Sequence, residues 1–157
     1  MTQQAKNLIA QARTEGWKRL ELGNCGLTDL QTQVPELFEL EQLEELVLSN
    51  RRWDADKQTW IYSANKGQAN KLSHLPQAMA QLKQLKVLVC GGGGYNDNWG
   101  ISDLSFLQNL PQLTQLNLSS NQITKLENLD KLPKLQQLVI SDNQITKLEN
   151  LDKLSNL

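Results

Sequence analysis

Apolar residues return along this chain at fixed intervals, and in its last third the interval is nearly perfect. Leu113-x-x-Leu116-x-Leu118-x-x-Asn121-x-Ile123-x-x-Leu126 is followed by Leu135-x-x-Leu138-x-Ile140-x-x-Asn143-x-Ile145-x-x-Leu148. The twelve residues from Asn121 to Leu132 recur unchanged as Asn143 to Leu154, 22 positions later. The central apolar-x-apolar triplet has the period of a strand, sending its leucines inward and the intervening residues outward. No unit of this size buries its own apolar face, so neighbours must stack and pair these strands into a parallel sheet on a concave side. Later leucines such as Leu126, Leu129 and Leu132 then close the core from the convex side. Asn121 and Asn143 fall where the chain turns away from the sheet, and an inward amide there satisfies backbone groups that the turn leaves unpaired.

Earlier units follow the same pattern with more drift. The first reads Trp17-x-x-Leu20-x-Leu22-x-x-Cys25-x-Leu27. The second opens as Leu43-x-x-Leu46-x-Leu48 and resumes as Asn70-x-Leu72-x-x-Leu75; the third opens as Leu85-x-x-Leu88-x-Cys90 and resumes as Ile101-x-x-Leu104. Five units thus cover residues 17 to about 156. Ahead of them, Ala5, Leu8, Ile9 and Ala12 fall at i, i+3, i+4 and i+7, which predicts an amphipathic helix over residues 1–16 ending near Gly16 and capping the first unit. Leu157 stands where a sixth unit would begin. The expectation is one domain over 1–157, without a C-terminal cap and part of a longer protein, with end-to-end self-association through the uncapped last repeat as one consequence.

The pattern L-x-x-L-x-L-x-x-N/C-x-L resembles that of the leucine-rich-repeat family. The last two units are similar to the 22-residue repeats of bacterial internalin-like proteins. The opening, a helix followed by Trp17-Lys-Arg-Leu-Glu-Leu-Gly-Asn-Cys-Gly-Leu-Thr-Asp-Leu30, is similar to the repeat regions of bacterial intracellular proteins, some of which continue into a GTPase of the Roco type. No residue of a GTPase is present. The resemblance implies an α/β solenoid, a horseshoe segment with a parallel concave sheet, and a protein-binding or scaffolding role in the cytoplasm. It names no partner.

Two interruptions break the repeat. After Leu48 the asparagine position should be 51, yet the best match is Asn70, 19 residues later; after Cys90, Ile101 arrives six residues later than the pattern predicts. The insertions, at about 51–69 and 91–99, start at the same point of adjacent units whose strands lie ~4.8 Å apart, so they are expected to touch. Five of the six Trp and Tyr residues fall in them: Trp53, Trp60, Tyr62, Tyr95 and Trp99. Such side chains join a large apolar body to a polar handle and are enriched in binding hot spots. A loop of this length also needs a small core of its own, so self-packing stands beside contact surface as a reading. Outward strand positions read Arg19/Glu21, Glu45/Val47, Val87/Val89, Gln115/Asn117 and Gln137/Val139. Val47, Val87 and Val89 are expected to form an apolar patch beside the loops, although exposed valine is also ordinary in strands.

Charge and composition narrow the function. Sixteen basic and seventeen acidic residues give a net charge of −1, which removes the electrostatic case for nucleic acid or an anionic membrane. No apolar run reaches the ~20 residues of a membrane helix. Gly91 to Gly94 lacks the following Gly-Lys-Ser/Thr and helix that a phosphate-binding loop needs. His74 is the single histidine, which excludes a multi-histidine metal site. Cys25 and Cys90 sit two units apart, roughly 10 Å along the stack, beyond the ~7 Å Cα limit of a disulfide. Neither a catalytic set, a metal site nor a cofactor is expected. The candidate contact residues for a protein partner are Trp53, Trp60, Tyr62, Tyr95, Trp99, Val47, Val87 and Val89. A structural spacer within a larger GTPase-type protein is the alternative. A carbohydrate-binding module is a third reading, weakened by the lack of Asp and Asn ligands at fixed spacing.

Overall fold

In a computed structural model, which describes residues 2–54, 56–92, 97–152 and 154–157, the repeated leucines form one continuous buried row. The strands are β1 (Arg19–Glu21), β2 (Glu45–Val47), β3 (Arg51–Asp54), β4 (Thr59–Tyr62), β5 (Val87–Val89), β6 (Gln115–Asn117) and β7 (Gln137–Val139). Five of them form a parallel sheet in the order β1-β2-β5-β6-β7, while β3 and β4 pair antiparallel as a separate hairpin. The register aligns Leu20, Leu46, Leu88, Leu116 and Leu138 in a row. The first four are at most 1% exposed. Residues on either side of each leucine face the concave surface, at the ten positions that the alternation predicts.

The first four units then turn onto the convex side through a short 3-10 helix: Pro35–Glu39, Gln77–Gln81, Ser105–Asn109 and Leu129–Lys131. The helices end alike, with the N–H of Leu40, Leu82, Leu110 and Leu132 donating to the carbonyl three residues back. Apolar residues at a spacing of three suit a 3-10 turn, whose i and i+3 side chains share a face. The next strand is fixed by a two-amide clasp. Glu44 and Glu45 both donate to the Lys18 carbonyl, Lys86 and Val87 to Glu44, and Thr114 and Gln115 to Lys86. Repetition of sequence thus becomes repetition of hydrogen bonds.

Helix α1 (Gln3–Glu15) buries Ala5, Ile9 and Ala12 against β1 and the first 3-10 helix. It stops at Gly16, whose φ of 65° is left-handed, with the Trp17 N–H reaching the Ala12 carbonyl at 2.9 Å. Arg13 bridges to Glu39 at 2.7 Å. Burial declines toward the other end, where Leu138 and Ile140 are half-buried and Leu148 and Leu157 are exposed.

Cys25 and Cys90 are separate buried thiols. Burial, with help from the Glu21 carboxylate, pushes the Cys25 thiol up to about 11, and burial alone pushes Cys90 up as well. The native protein at pH 8 is therefore expected to be inert in an Ellman titration, and the unfolded chain to show two thiols. The unfolded thiols lose their protons first, so native stability declines as pH rises from the ordinary thiol value through about 11. A fast-reacting thiol in the folded protein would refute the burial.

Candidate functional site: a groove between the hairpin and the concave sheet

The long insertion leaves the stack after Asn50 and rejoins it at Asn70, and these two side chains hold its neck. Asn50 Oδ1 accepts from the Asn70 N–H at 2.8 Å while Asn50 Nδ2 donates to the Asn70 carbonyl at 2.9 Å, so one amide pairs with the re-entering backbone as a strand residue would. The same Oδ1 accepts from the Asn24 N–H. Asn70 fills the asparagine position of its unit, fully buried. Its Nδ2 donates to the carbonyls of Leu22 and Leu48, and its Oδ1 accepts from the N–H groups of Cys25 and Leu27. Asn121 and Asn143 repeat the arrangement, donating to the carbonyls of Leu118 and Ile140 among others and accepting from Ile101 and Ile123.

Beyond the neck, β3 and β4 pair Arg51 with Tyr62, Arg52 with Ile61, Trp53 with Trp60 and Asp54 with Thr59. The Lys57 N–H caps the Asp54 carboxylate at 3.0 Å; that bond, and the Lys57 charge, hold the Asp54 carboxyl below its ordinary value. The returning chain is tied down on the first unit. Ser63 Oγ donates to the Gly23 carbonyl and Asn65 Nδ2 to the carbonyls of Glu21 and Gly23. Gly23 cannot be larger, because a Cβ there would collide with the Ser49 carbonyl and Ser63. As a result β4 lies toward β1, while β3 borders the open concave face over β5, β6 and β7.

This placement changes the expected apolar patch. Val47 and Val89 are 3% and 6% exposed. Val47 shares a narrow crevice with Ile61 and Tyr62 of the hairpin, so it is covered rather than presented. Val87 stays half-buried and lines the adjoining groove with Val89. Trp99 also departs from the expected loop surface. It is 0% exposed and belongs to the core. Its backbone N–H donates to the Ser120 carbonyl at 2.8 Å, and its indole Nε1 is buried without a hydrogen-bond partner among the described residues. Tyr95 lies outside the described residues.

Trp53, Trp60 and Tyr62 remain exposed, at 50%, 39% and 62%. The two indoles meet edge-on, with centroids 5.6 Å apart and planes at 70°. The Arg51 guanidinium sits 4.9 Å from the Trp60 ring centroid, within cation–π range. Two adjoining depressions of about 340 and 320 Å³ share Arg52, Trp53, Asn117, Gln137 and Val139. The first extends over Val87 and Gln115, the second past Trp60 and Gly92 toward Asp142. Both insertions therefore border one groove, since Gly92 opens the second. Among the described residues no cluster of three or more His, Cys, Asp or Glu converges as a metal site, and no helix is long and apolar enough to cross a membrane.

Residues 95–145 match the leucine-rich-repeat family model. An internalin from Listeria monocytogenes is 28% identical with a TM-score of 0.67, covering 95% of this chain and 36% of its own. Internalin C2 of the same bacterium is 30% identical at the same TM-score, covering 97% of this chain and 54% of its own. The chain has a leucine-rich-repeat fold similar to that of these internalins. A leucine-rich-repeat protein of Leptospira interrogans is similar over 82% of this chain and 33% of its own, at 25% identity and a TM-score of 0.53. This leucine-rich-repeat chain spans 36% and 54% of the length of the two internalins. No curated protein matches it significantly. The family likeness accounts for the sheet and the asparagine positions. The site itself is read from the hairpin and the groove.

Proposed function

We propose that this leucine-rich-repeat chain is a protein-binding module whose partner lies in the groove between the β3–β4 hairpin and the concave face of β5–β7. The leucine-rich-repeat fold is commonly a protein-interaction module, and repeat stacking produces the extended concave surface such modules use. The observation that carries the reading here is the exposed indole pair beside a recess. Trp53 and Trp60 stay half in solvent although the hairpin is anchored by at least six hydrogen bonds at and below its neck. A rigidly held aromatic pair loses little conformational freedom on binding, which is what a hot spot requires. The spacer reading would leave that exposure without a use.

The double substitution Trp53→Ala/Trp60→Ala tests this. Folding should be unaffected, because neither ring enters the core cluster. Cross-linking pull-down should recover a protein partner with the native chain and with a convex control, Lys125→Ala, and lose it with the double variant. Losses of ~2 kcal/mol or more per hot-spot indole correspond to a drop of ~30-fold or more in affinity. Equal recovery by all three proteins would overturn the reading.

A further inference from the structure

The proposed groove has a wall of unusual kind. β3 is one strand of a two-stranded sheet, so among the described residues its edge away from β4 has no strand partner. That edge is the one turned to the groove: the larger recess touches the hairpin only at Arg52 and Trp53, both on β3. Among the described residues, no backbone hydrogen bond outside the hairpin reaches Arg51–Asp54. An unpaired strand edge is a template for an added strand unless a protein blunts it.

Charge of both signs surrounds that edge, but Glu21, Glu45 and Asp54 have cationic partners. Arg51 and Arg52 line the recess, and among the described residues neither comes within ion-pair distance of a carboxylate, although the Arg52 charge helps to lower Asp54. Of the nearby carboxylates, Glu45 is held by Arg19 at 3.0 Å and Asp54 by Lys57 at 3.7 Å. Asp142 lies at the far rim. A guanidinium fork is suited to a carboxylate, and Arg51 is already oriented by the Trp60 ring. Across the recess, Gln115 and Gln137 are exposed and face each other in register. Asn117 Oδ1 is taken by the Ser119 N–H and hydroxyl, which leaves its Nδ2 to donate. These amides can read a peptide backbone from the side opposite β3.

We infer that the partner enters as an extended, acidic peptide segment that adds as a strand to the open edge of β3 and places a carboxylate on Arg52 and Arg51. The inference rests on the proposed use of the groove and adds the occupant. β3 is four residues long, ~13 Å at ~3.3 Å per residue, so the paired core of the segment is about four residues. An apolar side chain of the segment lies against Trp53, Val87 and Val89. The other side chains of an added strand alternate away from the sheet face.

The test is selection from a random heptapeptide phage library on the full chain, with counter-selection on Arg51→Gln/Arg52→Gln and on Trp53→Ala. Enriched peptides should carry Asp or Glu beside an apolar residue and lose enrichment on both variants. In a fluorescence titration of one such synthetic peptide, exchange of its acidic residue for the amide should weaken binding about tenfold or more. Methylation of one β3-facing backbone N–H should do the same, and binding should weaken with added salt. Peptides that depend on Trp53 but show no acidic bias, or tolerate every single N-methylation, would overturn the inference and leave the groove as the binding site. No enrichment at all would overturn the inference alone, peptides indifferent to Trp53→Ala would overturn the inference and the site together, and a glycan-array signal abolished by Trp53→Ala would overturn the protein-binding reading while leaving the groove as a site.

Discussion

Replacing Asn70 by Ala is expected to cost about 4 kcal/mol of stability, enough to abolish folding at moderate temperature. The side chain is 0% exposed and satisfies four backbone groups at once, the carbonyls of Leu22 and Leu48 and the N–H groups of Cys25 and Leu27. Truncation strands all four in a dry interior, where each unsatisfied group costs ~1–3 kcal/mol. The lower end of that range is used because neighbouring groups relax, and losses above ~4–5 kcal/mol are exceptional for one substitution. Asn70→Asp should fare no better, since a carboxylate can accept from Cys25 and Leu27 but faces two carbonyl oxygens with no proton to give. Asn143→Ala is the internal control. It makes a similar set of bonds but is only half-buried, so water replaces part of what is lost and about 2 kcal/mol is expected. Urea unfolding followed by far-UV circular dichroism measures both. Equal losses at the two positions would show that burial does not set the cost.

The concave sheet was readable from sequence because its code is local. Alternation with period two assigns Leu46 inward and Glu45 and Val47 to the concave face, and the register of β1, β2, β5, β6 and β7 has that order. Asn70 was legible too, since the unit resumes with the same Asn-x-Leu spacing across 19 inserted residues. The burial of Val47 was not. It depends on the hairpin folding back, through Ser63 and Asn65, onto carbonyls of Glu21 and Gly23 some 40 residues earlier. No periodicity encodes such a contact. Asn50 and Asn65 escaped notice for the same reason, as asparagines in a polar insertion carry no pattern. Trp99 is different, because its signal was present. Trp99-x-Ile101-x-x-Leu104 has the spacing of Asn121-x-Ile123-x-x-Leu126, which puts the indole inward at the asparagine position. Composition alone points to a loop aromatic, whereas register places the ring inside. Register was the stronger physical constraint, because a one-residue slip would turn every leucine of the unit outward.

That same position gives a series of substitutions at Trp99 with opposed effects. Trp99→Ala removes the largest fully buried side chain and should cost ~3–5 kcal/mol, from lost apolar burial and the cavity left behind. Trp99→Phe should be near neutral. It gives up part of the ring volume, a loss of order 1 kcal/mol, but also removes an indole N–H buried without a partner among the described residues, whose desolvation costs ~1–3 kcal/mol. Trp99→Asn separates the ladder from the packing. In neighbouring units the asparagine Oδ1 accepts the N–H of Leu27, Ile101 or Ile123 from the unit before it. By the same register Trp99 stands opposite the Leu72 N–H, and an indole offers it no acceptor. Asparagine restores that acceptor while leaving most of the cavity, so its stability should fall between those of the alanine and phenylalanine variants. The ordering Phe, Asn, Ala in urea midpoints is the measurement. A phenylalanine variant as unstable as alanine would mean that the indole N–H is a structural bond after all, and the third unit would then owe its shape to that bond rather than to the size of the ring.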